Sequence, residues 1–386
     1  MNTKKYLLNH PDAHTVYLGW KISNGKIVKD EFGKPVKALV FAVEHKKPIS
    51  EVVKPIPKKY GALLTDVVEK PRLLASPPIS GKSKKSPKRM DKFDEEDCPD
   101  VANAENDALL QVLRSRVRPV KGGVGLGHID ITTGTGQVVF MRKGVVEKIP
   151  SISERYIGTT LAASPQSFWE KLLSWIAKLF GWDEDVVDVD EDTGTGDYGD
   201  EGIEIPLIMS NNHVLACENA AKIGDPIIQQ GDYDGGRNPE DIVAHLEAYT
   251  KIKKEGNLTD VAFAKLCVDY DPSIFGVPVV NTAVAIPEIG MLVQKTGRTT
   301  GHTVGKIIGI DASSNIWYDI GECSFEDQIL IEDLPDMPYF SDGGDSGSLI
   351  LDLDGHPVGL LFAGGGNVTL ANKLTRIMED YPIYFK

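Results

Sequence analysis

The sequence predicts a mainly β protein preceded by a small α+β region, and three observations carry that expectation. Short apolar, β-branched runs separated by turn residues recur from about residue 118, at 137–141, 207–209, 261–266 and 349–353 among others. Runs of this length and spacing are the pattern of a sandwich or barrel. Before them, residues 78–105 are rich in Pro, Ser and charge and nearly empty of apolar side chains. Such a stretch cannot bury a core and reads as a linker. Long helical periodicity is confined to two places, 165–182 and 370–381.

The elements follow in order. Residues 16–22 alternate as a strand, Asn24 and Gly25 form a turn signal, and residues 36–43 are a second β-rich run. A short helix is expected at 48–53 and a third strand at 63–68. These place residues 1–77 in a small domain of their own. The basic residues Lys82, Lys84, Lys85, Lys88 and Arg89 fall in the linker and read as a solvated connector. Residues 120–127, VKGGVGLG, lack the third glycine of a dinucleotide fingerprint and have no helix pattern after them, so a loop feeding a strand is expected.

Ser164 and Pro165 could open a helix reaching about Trp182, with Phe168, Trp169, Leu172, Leu173, Trp175 and Ile176 on a broad apolar face. That face packs on the protein itself or docks on a partner or membrane. An acidic run, 183–201, follows. Asp188, Asp190 and Asp192 mimic the start of a calcium loop, but Thr193 replaces the required glycine and Gly199 stands where the closing glutamate belongs. No metal is expected. The last helix is placed at 370–381, with Leu370, Leu374, Ile377, Met378 and Tyr381 on one side.

Composition narrows the function classes. The chain of 386 residues carries a net charge of −14, which argues against nucleic-acid or anionic-membrane binding in general. The N-terminal apolar stretch is too short for a secretion signal, and no window reaches a membrane span. Four scattered cysteines, Cys98, Cys217, Cys267 and Cys323, form no CxxC pair. They are expected as reduced, packed thiols in a cytoplasmic protein.

Three short stretches carry chemistry. LIMSNNHVLA (207–216) places His213 where an apolar strand meets a turn. NLTDVAFAKL (257–266) places Asp260 at the head of an apolar strand, where a carboxylate needs a hydrogen-bonding partner. FSDGGDSGSLIL (340–351) places Ser346 in a glycine-rich turn. Glycines there allow successive amides, those of Gly344 and Ser346, to face one developing anion. Each residue alone has a structural reading: a packed histidine, a strand cap, an ordinary tight turn. Together they stand in the order His, Asp, Ser, which is the chymotrypsin order and not that of subtilisin or the α/β-hydrolases.

These segments resemble the catalytic segments of chymotrypsin/trypsin-like serine peptidases. With the N-terminal IPKKYGALLTDVVE and the RVRPVKGGVGLGH stretch, the chain looks like a bacterial intracellular type bearing a small N-terminal domain. The resemblance implies a chymotrypsin-like double β-barrel with a C-terminal helix at 106–386, interrupted by an insertion at 165–204. It implies His213, Asp260 and Ser346 as a catalytic triad acting on a protein or peptide substrate without a cofactor. VQKTGRTTGHT (293–303) is similar to a loop of bacterial α-lytic-type and streptogrisin-type enzymes, which implies that Arg298 pairs with Asp345. The strand at 358–364 is implied to line the substrate cleft, with Phe340 at the base of a pocket and Phe362, Ala363 and Gly364 as one wall. No acidic residue sits at that base, so a small or apolar side chain is the expected specificity. Ser348 departs from the pattern where many trypsins have glycine. A peptide-binding pseudoprotease and an esterase using the same triad are the competing readings.

Overall fold

The computed structural model describes residues 3–52, 54–75, 104–131, 133–143, 203–335 and 337–386. The chain divides into two compact units, one of Met1–Val139 with Pro206–Lys386 and one of Phe140–Ile205. The second is described only at 140–143 and 203–205, where strands Gln137–Lys143 and Ile203–Ser210 run into it. The helix expected at 165–182, the acidic run at 183–201 and the linker up to residue 103 lie outside the described residues.

In the first unit, six strands close into a ring. Leu292–Gly297, Leu349–Asp352, Pro357–Gly365, Val368–Lys373, Gly321–Asp333 and Gly301–Tyr318 pair in that order, and the first also pairs with the last. Closure leaves no free edge inside the ring. Its interior takes Val293, Ile307, Ile329, Ile331, Phe340, Ile350, Val358 and Leu361, all buried. Each such side chain contributes roughly 1.5–3 kcal/mol by leaving water. A second antiparallel sheet runs Gly134–Thr135, Gly125–His128, Pro226–Ile228, Ile242–Tyr249, Ala262–Leu266 and Ile203–Ser210. Two antiparallel β assemblies of this kind are the double-barrel fold class that the sequence predicts.

The N-terminal strands join the sheet that holds the ring. Strand Ala13–Trp20 pairs antiparallel with Gly301–Tyr318, Thr15 facing Ser314 and Leu18 facing Ile310. Lys37–Val43 pairs beside it, and Leu63–Glu69 lies parallel to that. The long strand Gly301–Tyr318 thus serves the ring and the N-terminal sheet together, which no local sequence pattern announces. One correction concerns the C-terminal helix, which spans only Leu374–Asp380. Leu370 lies in strand Val368–Lys373, opposite Leu330 on one side and Ala363 on the other. A strand covered on both faces is apolar without alternation, and its spacing mimicked one more helical turn. The turn at Asn24 and Gly25 is present, both at positive φ between strands Ile22–Ser23 and Lys26–Ile27. The expected helix at 48–53 is a single 3₁₀ turn, Ile49–Glu51.

Candidate active site

His213 lies in the short helical turn Asn212–Leu215, directly after strand Ile203–Ser210. Every residue of the SNNH stretch is engaged. Ser210 Oγ donates to Thr135 O at 2.6 Å. Asn211 Nδ2 donates to Asp260 O at 2.8 Å. The amides of Asn212 and His213 donate to Asp260 Oδ1 at 2.7 and 3.3 Å. The turn therefore grips Asp260 by backbone, and His213 Nδ1 meets its other oxygen, Oδ2, at 2.6 Å. With Asp260 fully buried, that pairing fixes which ring nitrogen carries the proton. Nε2 is left as the free end, without a hydrogen-bond partner.

Tyr318, which the sequence did not single out, completes the site of Asp260. Its hydroxyl donates to Asp260 Oδ2 at 2.8 Å, and its ring stacks on Phe325 with centroids 5.7 Å apart. Burial, and then the neighbouring Asp260 charge, push its pKa well above the ordinary phenol value, so the group stays a donor. Asn372 Oδ1 accepts the Asp260 amide at 3.0 Å. Neither residue belongs to a recognisable motif.

Ser346 sits in the turn between Asp342 and Ser348 and is 1 % exposed. The turn needs its glycines. Gly344 has φ +97°, and a Cβ there would lie 2.5 Å from Thr299 Oγ1. Gly347 has φ +92°, and a Cβ there would lie 2.1 Å from both Ser210 Oγ and Thr135 O. The carbonyls within the turn are anchored. Gly343 O accepts from Thr299 Oγ1 at 2.6 Å, and Asp345 O accepts from Ser348 N at 3.0 Å and Ser348 Oγ at 2.6 Å. In a trans peptide the N–H points opposite to the carbonyl. The amides of Gly344 and Ser346 are therefore turned away from these anchors. Among the described residues no backbone hydrogen bond engages either amide.

The His213 and Ser346 turns meet at Gly134. A Cβ on that glycine would lie 2.5 Å from Val214 Cγ2 and 3.0 Å from Ser346 O. Thr135 N donates to Ser346 O at 2.8 Å, and Thr135 Oγ1 donates to Gly344 O at 2.9 Å. Thr135 is thus a clasp between the two turns that the sequence did not reveal. The direct bond between the two turns is not made: Ser346 Oγ and His213 Nε2 are both buried and both lack a hydrogen-bond partner.

The expected Arg298–Asp345 pair is overturned. Arg298 Nε donates to Asp234 Oδ2 at 3.0 Å, its Nη2 also meets Asp234, and the guanidinium lies 5.0 Å from the Tyr233 ring. The reason is local. Gly297 brings the backbone so close that its Cβ would lie 2.4 Å from Asp345 Oδ1. Backbone donors consequently reach this carboxylate first: Thr299 N at 2.8 Å, Thr300 N at 3.2 Å and Asp342 N at 3.0 Å, with Thr300 Oγ1 at 2.7 Å. The cation beside it is the fully buried Lys295, Nζ at 3.4 Å. Burial lowers the Lys295 pKa, and the Asp345 charge opposes that.

The pocket assignment also changes. Phe340 is fully buried among the apolar side chains of the ring and lies 5.8 Å from Lys295 Nζ. Phe362 is fully buried against Phe325, with centroids 4.9 Å apart, and Ala363 is enclosed in the same cluster. These side chains are part of the core. At this strand end Ala363 is fully buried, and Gly364 and Gly365 are half-buried. The three described cysteines are unpaired, and burial pushes the Cys217 thiol up to about 12, so it stays protonated.

No family model and no curated protein matches the chain. Solved structures do. Thermobifida fusca Protease A is 9 % identical, covering 69 % of this chain and 97 % of its own, with a TM-score of 0.39. A glutamic acid specific serine protease is 12 % identical over 69 % and 100 %, with a TM-score of 0.40. Nocardiopsis Protease is 11 % identical over 69 % and 98 %, with a TM-score of 0.39.

Proposed function

We propose that the chain is a serine endopeptidase in which His213, Asp260 and Ser346 form the catalytic triad. The observation that carries this reading is the buried His213–Asp260 bond of 2.6 Å, with the free Nε2 and an unengaged Ser346 Oγ on adjoining turns. Closing the gap between them makes Nε2 the base that takes the hydroxyl proton as Oγ attacks a peptide carbonyl. Asp260 holds the ring in the Nδ1–H tautomer and stabilises the imidazolium. The developing oxyanion is received by the Gly344 and Ser346 amides, which no backbone carbonyl engages among the described residues. His213 then protonates the leaving amine, and water attacks the acyl-enzyme by the same route in reverse.

Labelling with a fluorophosphonate, followed by mass-spectrometric mapping of the modified residue, tests the reading. Label on Ser346, lost in Ser346→Ala, is expected. Label retained by Ser346→Ala removes the nucleophile assignment. One observation favours a second reading, a peptide-binding protein without turnover: the Oγ–Nε2 bond is unmade. An unlabelled Ser346 in folded protein decides for that alternative.

A further inference from the structure

Strand Pro357–Gly365 passes beside the Ser346 turn. Gly347 N donates to Leu361 O at 2.8 Å, and Leu361 N donates to Ser348 O at 3.1 Å. Phe362, Ala363 and Gly364 therefore lead away from the side of Ser346. One edge of this stretch pairs with Val368–Lys373, Ala363 facing Leu370 and Gly364 facing Thr369. The other edge is taken by two residues from the N-terminal region. Ala75 stands opposite Ala363 and Leu74 opposite Gly364, antiparallel.

Direction matters here. An antiparallel partner passes Gly364 first and Ala363 next, so Leu74 followed by Ala75 advances toward Ser346. A peptide about to be cut needs its scissile carbonyl at Ser346 Oγ, with the residues on its amino side trailing away in extended form. Strand addition to this edge provides that, since main-chain bonds hold the peptide whatever its side chains. Leu74–Ala75 has both the place and the polarity of such a substrate.

The segment is fixed on its amino side. Leu73, 1 % exposed, packs in the cluster that contains Phe362 and Ala363. Arg72 O lies 2.8 Å from where a Gly365 Cβ would be, and Lys70 is ion-paired with Glu332. The strand itself is only two residues long, and Leu74 remains 36 % exposed. Leu74 also pairs in parallel with Trp317 of strand Gly301–Tyr318, so a competing peptide that takes this edge must displace a two-residue strand held by both neighbours.

We propose that Leu74–Ala75 occupies the edge on which extended peptide substrates bind, so that the folded chain is self-blocked. The inference rests on the serine endopeptidase reading of Ser346. It is tested on the full chain with two probes, a fluorophosphonate, which is too small to need the edge, and fluorescein-labelled casein, which is unfolded and needs it. Ala75→Pro removes a strand donor and constrains the backbone. Casein cleavage at least 10-fold faster than wild type is expected, with fluorophosphonate rates within 3-fold of each other. Equal or slower casein cleavage by the variant, with labelling intact, overturns the proposal. Should Ala75→Pro melt unlike wild type, Leu74→Gly with Ala75→Gly replaces it under the same criteria. Absence of labelling in wild type and variant alike sinks the endopeptidase reading itself, and the self-block with it.

Discussion

Tyr318 Oη donates to Asp260 Oδ2 at 2.8 Å, sharing that oxygen with His213 Nδ1. The other carboxylate oxygen takes two backbone amides. A carboxylate buried this deeply is ordered by its donors, and the phenol is the one donor a single substitution can delete while leaving the ring stacked on Phe325. Tyr318→Phe removes one hydrogen bond to a charged group, worth about 1.5–3 kcal/mol. On the proposed mechanism, kcat/KM falls roughly 10- to 100-fold, and the pH–rate profile shifts with it. An unchanged profile with unchanged kcat/KM would reduce Tyr318 to a packing residue.

Arg298 is coupled to Asp234, not to Asp345. A double-mutant cycle with Arg298→Ala and Asp234→Ala, read by chemical denaturation, should give an interaction of about 1–3 kcal/mol. The same cycle with Asp345→Ala should give less than about 0.5 kcal/mol. A large coupling to Asp345 would restore the pairing expected from the sequence.

Gly347 has no room for a side chain and has a φ that L residues avoid. Gly347→Ala is expected to cost at least about 3 kcal/mol, because the added methyl meets a backbone oxygen that cannot yield. Gly343, where a Cβ would meet nothing within 4 Å, is the control. Gly343→Ala should stay within about 0.5 kcal/mol of wild type in a thermal melt.

Two histidines, the buried His14 and the half-buried His302, give stability a pH dependence whose sign follows from their surroundings. Burial lowers the pKa of His14 and of His302 below the ordinary 6.5. For His302 the nearby Lys295 charge adds to this. The unfolded chain therefore takes up these protons before the folded one does. Stability is full above pH 6.5 and is lost as pH falls through and below that value. Melting temperatures between pH 8 and pH 5 should decline on the acid side. The combined variant His14→Gln and His302→Gln should decline less steeply.

What was legible in the sequence is what local chemistry writes locally. The glycines around Ser346 are demanded by backbone angles, so the turn can be read from its letters. His213 and Asp260 stand at strand boundaries where apolar runs begin or end, and the structure does bring those two into contact. The places of Phe340 and Phe362 were not legible, because a position along the chain does not say which way a ring turns. Here both rings turn inward. Leu370 was misread as helix because burial on both faces erased the alternation that marks a strand.

The chain's letters determined its mainly β character, its turn glycines and the candidates for proton transfer, since periodicity, backbone freedom and residue chemistry depend on near neighbours. Only the tertiary structure decided who partners whom: Tyr318 with Asp260, Arg298 with Asp234, Lys295 with Asp345, and Leu74–Ala75 with the strand end at Ala363 and Gly364. Those choices follow from steric access and burial across distant segments. A charge or an open strand edge takes whichever donor the closed sheets bring within reach.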